Sequence, residues 1–169
     1  VVTCLRRKTF LNSNNRFRWL KKEKLILQNE QFIGTWKLVS CEFRNSNGKV
    51  VYPYGRDPFG MLMYDSSGNM LVLLMQRDRP RFASGDLRRG TPEEIKAAFE
   101  GCTTYCGTYE VNEEKGTVTH HVEGSNFPNW VSTDQVRFFK FSGDQLTLSS
   151  PPILVGGEQL IVHFVWART

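Results

Sequence analysis

What most constrains this chain is the regular placement of glycine-bearing turns between short β-rich runs. From Phe32 onward, Asn47-Gly48 divides Trp36–Phe43 from Val50–Tyr52, and Ser67-Gly68-Asn69 divides Met61–Tyr64 from Leu71–Met75. Lys115-Gly116 divides Tyr105–Val111 from Thr117–Glu123, Ser142-Gly143-Asp144 joins Gln135–Phe141 to Gln145–Ser149, and Gly156-Gly157 precedes Leu160–Ala167. Such turns supply the positive φ angles of tight hairpins, so consecutive strands are expected to pair antiparallel. Eight or more strands of this kind form a sandwich or close on themselves, because open edges invite aggregation. The alternation of Tyr105, Gly107, Tyr109 and Val111 against Cys106, Thr108 and Glu110 gives one inward and one outward face. The expectation is an all-β fold, a closed antiparallel meander barrel of eight or more strands whose interior can hold one small ligand.

One segment breaks the rhythm. Thr91 to Gly101 carries a capping threonine, Pro92 at the first helical position, Glu94 to complete a capping box and Gly101 as a stop. The spacing predicts a short helix inserted mid-chain, with Ile95, Ala98 and Phe99 on one face, lying against the sheet or across an opening.

Charge is distributed unevenly. The chain has 22 Lys plus Arg against 17 Asp plus Glu, but residues 1–30 hold eight basic groups and two acids, which leaves residues 31–169 at 14 − 15 = −1. Residues 1–30 therefore read as a basic tail, disordered or forming a loosely docked helix, and residues 31–169 as the barrel domain. Nucleic acid is not expected as a partner of the domain. No apolar run approaches the roughly 20 residues of a membrane span, and residues 1–30 lack the apolar stretch of a secretory signal. The expected location is the cytoplasm, with organelle targeting by the Arg-rich tail as the alternative. Cysteines at 4, 41, 102 and 106 read as reduced thiols, with a short Cys102–Cys106 bridge as a minor option. Oligomeric state is not legible.

Catalytic signatures are few. There is no G-x-S-x-G elbow, and Gly85 to Gly90 is followed by Thr91-Pro92 rather than the Lys of a phosphate-binding loop. No cofactor is implied, and no cysteine or histidine spacing suits a structural metal. The arginines between Gln76 and Gly90 read as a solvated loop held by ion pairs. His120-His121 lies in a strand, so one imidazole faces the interior and the other the outside, with the phase left open. Tyr105 and Tyr109 should look inward together. If the first strand is regular, Leu38, Ser40 and Glu42 share the phase of Trp36, so Glu42 would need an interior partner, for which Arg137 is the candidate. Candidate ligand contacts are Leu38, Ser40, Met75, Tyr105, Tyr109, His120, His121, Trp130, Arg137 and His163, with Trp130 in an aromatic rim loop. His120, His121, Tyr109 and Glu42 are the candidate acids or bases, with Tyr105 beside them.

Gly34-Thr35-Trp36 on the first strand and Arg168 on the last resemble the Gly-x-Trp and closing Arg of the calycin superfamily. The longer series GTWKLVS, VYPYG, DRPRFASGD, TPEEIKAAFEG, GTYEV, GTVTHHVEG, FPNW and DQVRFFKF is similar to the single-domain lipocalin-like family of bacteria and fungi. That resemblance covers residues 31–169. It implies that Trp36 closes the barrel base with Arg168 packed across it. The leading functional expectation is non-covalent binding of a small, mainly apolar or aromatic molecule, as in secondary metabolism. The alternative is a cofactor-independent isomerase, cyclase or lyase acting on a polyketide-like or phenolic metabolite.

Overall fold

A computed structural model of the protein describes residues 30–169. The expected tail therefore lies, apart from Glu30, outside the described residues. Ile33–Thr169 form one compact unit. Its strands are β1 (Gly34–Arg44), β2 (Val50–Val51), β3 (Phe59–Tyr64), β4 (Asn69–Met75), β5 (Cys102–Asn112), β6 (Thr117–Ser125), β7 (Asp134–Ser142), β8 (Gln145–Ser149), β9 (Ile153–Val155) and β10 (Glu158–Arg168). The sheet order is β2-β1-β3-β4-β5-β6-β7-β8-β10-β9, and β1 also pairs with β10. Eight strands thus close an antiparallel barrel, while β2 and β9 extend single edges of β1 and β10. The β9–β10 hairpin was not anticipated as a strand pair; Gly156 and Gly157, at φ 58° and 85°, supply the two left-handed positions its turn needs.

The hairpin turns after β3, β5 and β7 gather at one end of the barrel, with the start of β1 and the end of β10. This end is its floor. Trp36 is fully buried there, paired across the ladders with Leu62 and Arg168, and its ring centroid is 6.1 Å from that of Phe141. The Arg168 guanidinium carbon lies 4.2 Å from the centroid of the Trp36 ring, and its Nη1 donates to the Ile33 carbonyl at 2.9 Å. The first and last strands are thus joined by ladder hydrogen bonds, a cation–π contact and a side chain to backbone bond.

At the opposite end, the mouth, lie the loop 76–91, the helix α1 (Pro92–Glu100) and a 3-10 turn, Pro128–Trp130. The capping box is present: Glu94 N donates to Thr91 Oγ1, and Thr91 N donates to Glu94 Oε2. Packing of the helix face against the sheet, one of the two placements expected, is not, since Ile95 and Phe99 are 52% and 48% exposed. The other carboxylate oxygen of Glu94 accepts from Ala83 N at 2.8 Å, so α1 is tied to its own preceding loop rather than laid on strands. In that loop Arg77 pairs with Asp57 and Arg89 with Asp86.

Two irregularities set the phase of the walls. A bulge in β1 shifts the register between Leu38 and Ser40, leaving Val39 exposed. The extra residue turns the strand over, so Cys41 instead of Ser40 or Glu42 joins Trp36 and Leu38 inside. The second bulge lies between β5 and β6 at Cys106/Gly107, where a Cβ on Gly107 would come within 2.0 Å of the His121 carbonyl oxygen, so only glycine fits. Cys102 and Cys106 sit on extended backbone of β5 as free thiols. Four residues of strand separate them by roughly 13 Å, too far for a bridge.

Candidate functional site

Alternation on β6 puts Val118, His120 and Val122 inside and His121 outside, which settles the histidine phase. His120 is 1% exposed and sits between two tyrosines: Tyr64 Oη is 2.7 Å from its Nε2 and Tyr105 Oη is 3.0 Å from its Nδ1. Burial first, then the nearby charge of Arg137, holds His120 well below the ordinary histidine range, so the ring is neutral at pH 7. A neutral imidazole has one N–H and one lone-pair nitrogen. The two phenols and the ring bring three hydrogens to two links, and one hydroxyl hydrogen is therefore directed away from the imidazole. Tyr64 and Tyr105 are both pushed upward by burial, with the Arg137 charge, and for Tyr105 also a hydrogen bond from the Arg137 side chain, acting against that rise, and both stay protonated.

Arg137 is the unusual member of this wall. It shares the inward phase of β7 with Gln135, Phe139 and Phe141, stands opposite buried Val118 on β6, and is 4% exposed. Its Nη1 donates to the Val136 carbonyl at 2.8 Å and its Nη2 to Gln135 Oε1 at 3.2 Å, while Nε is buried without a hydrogen-bond partner. No carboxylate among the described residues pairs with it. Trp166 Nε1 on β10 is likewise buried without a partner. Around this wall the lining is apolar: Leu38, Leu62, Val72, Leu74, Phe139, Leu148, Val162 and Phe164. Leu38 and Phe139 point inward from mid-strand and are half-buried.

At the mouth, Trp130 meets Tyr105 edge to face with centroids 5.6 Å apart, and Phe127 meets Trp130 at 5.7 Å. Tyr54 Oη donates to Thr103 Oγ1 at 2.6 Å, and burial pushes the Tyr54 phenol up to about 12.

Of the residues anticipated from sequence, Tyr105, His120, Trp130 and Arg137 come together, and Leu38 faces the same interior. Tyr109 is inward but belongs to the floor side: its ring lies 4.7 Å from that of Tyr64 and its hydroxyl donates to the Asp65 carbonyl at 3.0 Å. Ser40, Glu42 and His163 lie on the outer face because of the β1 bulge and the register that pairs Glu42 with His163. Glu42 accepts from Arg44 there, rather than from Arg137. His121 is also outside, with Nδ1 2.7 Å from Asp134 Oδ1. Met75 has the outward phase of β4, and its sulfur accepts from Arg79 Nη2 at 3.2 Å. Tyr64 was missed; its signal was the shared phase with Leu62 at the end of a short apolar run. Among the described residues no three His, Cys, Asp or Glu side chains converge as metal ligands would. A shallow outer hollow of about 610 Å³ beside Met63, Leu71 and Cys106 holds no buried unpartnered polar group.

The chain belongs to the lipocalin-like domain family, whose model matches residues 33–169. Among curated proteins it is similar to a 4'-hydroxy-3'-methoxypropiophenone carrier protein, ppsC, of Aspergillus oryzae, with 29% identity over 106 residues, covering 59% of this chain and 96% of the relative.

Proposed function

We propose that this barrel holds a small, mainly apolar aromatic molecule non-covalently between the Leu38 and Phe139 walls, oriented by the polar wall of Tyr105, His120 and Arg137. The observation that carries this reading is a closed barrel whose inner wall is apolar apart from a cluster of polar side chains, Tyr64, Tyr105, His120 and Arg137. That is the composition of a ligand pocket: apolar lining for affinity, few polar groups for orientation. The carrier relative supports the same class, because the molecule in its name joins an aromatic ring to a ketone and a phenol. Titration of the purified protein with 4'-hydroxy-3'-methoxypropiophenone and related aryl ketones, followed by tryptophan fluorescence, tests it. Saturable quenching that competes across the panel is expected; absence of saturable binding to any member contradicts it.

One observation favours proton-transfer catalysis as a second reading, namely the Tyr64–His120–Tyr105 chain with its outward-directed hydroxyl hydrogen. Deuterium uptake from solvent at the carbon beside the ligand carbonyl, measured by NMR, separates the two. A pure binder leaves that rate at or below the rate in buffer; an isomerase-type site raises it, and His120→Gln removes the rise.

A further inference from the structure

Resting on the binding reading above, we propose that the barrel takes its ligand as an anion, the conjugate base of an acyl-substituted phenol or an enol, with the charged oxygen on the guanidinium of Arg137. Arg137 is 4% exposed and guanidinium stays protonated at any physiological pH, so the interior contains a full positive charge. The ionisable groups facing it are Tyr64 of β3, Tyr105 of β5 and His120 of β6, all neutral at pH 7. Cys41 of β1 and Tyr54 near the mouth are also kept protonated by burial. The inward positions of β8 and β10 near the wall carry Leu148, Val162 and Phe164, none of them ionisable. The strand acids Glu42, Glu110, Glu123 and Asp134 all fall on outward phases. A buried cation without a counter-charge is costly, and an anion entering the site removes that cost.

The lining around the guanidinium narrows the class. Each terminal nitrogen of Arg137 spends one of its two N–H groups on a protein acceptor and Nε–H has none, so the guanidinium keeps donors to spare. Among anions, the aromatic and apolar side chains around it, Tyr64, Tyr105 and Phe139, favour one whose charge is spread over a ring or a conjugated carbonyl. The protein's own phenols do not ionise here because burial outweighs the Arg137 charge for groups whose ordinary value is near 10. A phenol with an acyl group para to it is a stronger acid, since its anion delocalises onto the carbonyl. Direct contact with a cation lowers such a group by about 1 to 3 pH units. On binding, the O–H bond of the ligand breaks, its electron pair remains on the oxygen, and the proton passes to solvent.

The test uses absorbance, because a para-acyl phenolate absorbs at longer wavelength than its phenol. Bound 4'-hydroxy-3'-methoxypropiophenone is titrated from pH 5 to 9 in the wild-type protein, Arg137→Lys and Arg137→Met. The expected result is a midpoint at least about one pH unit below that of the free compound in the wild type. The shift should be smaller for Arg137→Lys and lost or reversed for Arg137→Met. A wild-type midpoint at or above the free value, or one that Arg137→Met leaves unchanged, overturns the proposal while leaving binding intact. No saturable uptake overturns the binding reading with it. Should Arg137→Met fail to fold, the wild type still decides through the methyl ether of the same ketone, which cannot ionise. The phenol should bind at least about tenfold more tightly than the ether at pH 8, and the preference should vanish at pH 5; equal affinities at both pH values overturn the proposal.

Discussion

Two arginines mark the two regions of this barrel, and they are spent differently. At the floor, Arg168 covers the Trp36 indole at 4.2 Å, donates to the Ile33 carbonyl and keeps part of its charge in water. On the wall, Arg137 is removed from water, gives its terminal nitrogens to a carbonyl and an amide, and faces neutral rings. The first arginine completes the fold with the protein's own atoms. The second has no carboxylate partner among the described residues, and the ligand proposed above would supply the counter-charge.

Mutations should separate the regions by sign as well as size. Emptying the floor has the largest expected effect: Trp36→Ala should destabilise by about 3 to 5 kcal/mol in chemical denaturation, the range for truncating a large aromatic side chain in a core. At the wall, Arg137→Met should leave stability equal or raise it, by up to about 1 to 4 kcal/mol, since an apolar side chain of similar length replaces a buried unpaired charge. Arg168→Met should move the other way, losing about 0.5 to 2 kcal/mol with the cation–π contact. If both arginine variants destabilised by similar amounts, the contrast between floor and wall would be lost.

The two adjacent histidines sharpen the same contrast. The His120 value is depressed in the folded state, so the unfolded chain binds the extra proton first as pH falls. Stability is therefore fully present above about 6.5, the ordinary histidine value, and declines as pH drops below it, by up to about 1.4 kcal/mol per pH unit. His120→Gln should flatten that slope in denaturation measured from pH 7 to 5, leaving the smaller part that belongs to His163, itself held down by partial burial and Arg44. On the outside, a double-mutant cycle on His121 and Asp134 should find a coupling of about 0.2 to 1 kcal/mol, reduced by salt, as for other exposed pairs.

The barrel, its closure at Trp36 and Arg168, and the capped helix were legible because alternation, turn glycines and cap chemistry are local signals. The site was legible only in part. Tyr105, His120 and Arg137 carry inward phases that regular strands predict. The β1 bulge at Val39 has no glycine or proline to announce it, and that single residue sends Ser40 and Glu42 to the outer face. The periodicity of Ile95, Ala98 and Phe99 shows an apolar face on α1 but not what covers it, and of the two placements it left open the helix takes the mouth, with Ile95 and Phe99 half exposed.

The central claim is that Arg137 serves a ligand rather than the fold, and thermal unfolding of the wild type and Arg137→Met, each with and without 4'-hydroxy-3'-methoxypropiophenone at pH 8, tests it most directly. The account predicts that Arg137→Met melts at the same temperature as the wild type or higher when no compound is present, and that the compound raises the Tm of the wild type far more than that of the variant. A variant that melts well below the wild type alone, yet gains as much from the compound, would contradict it.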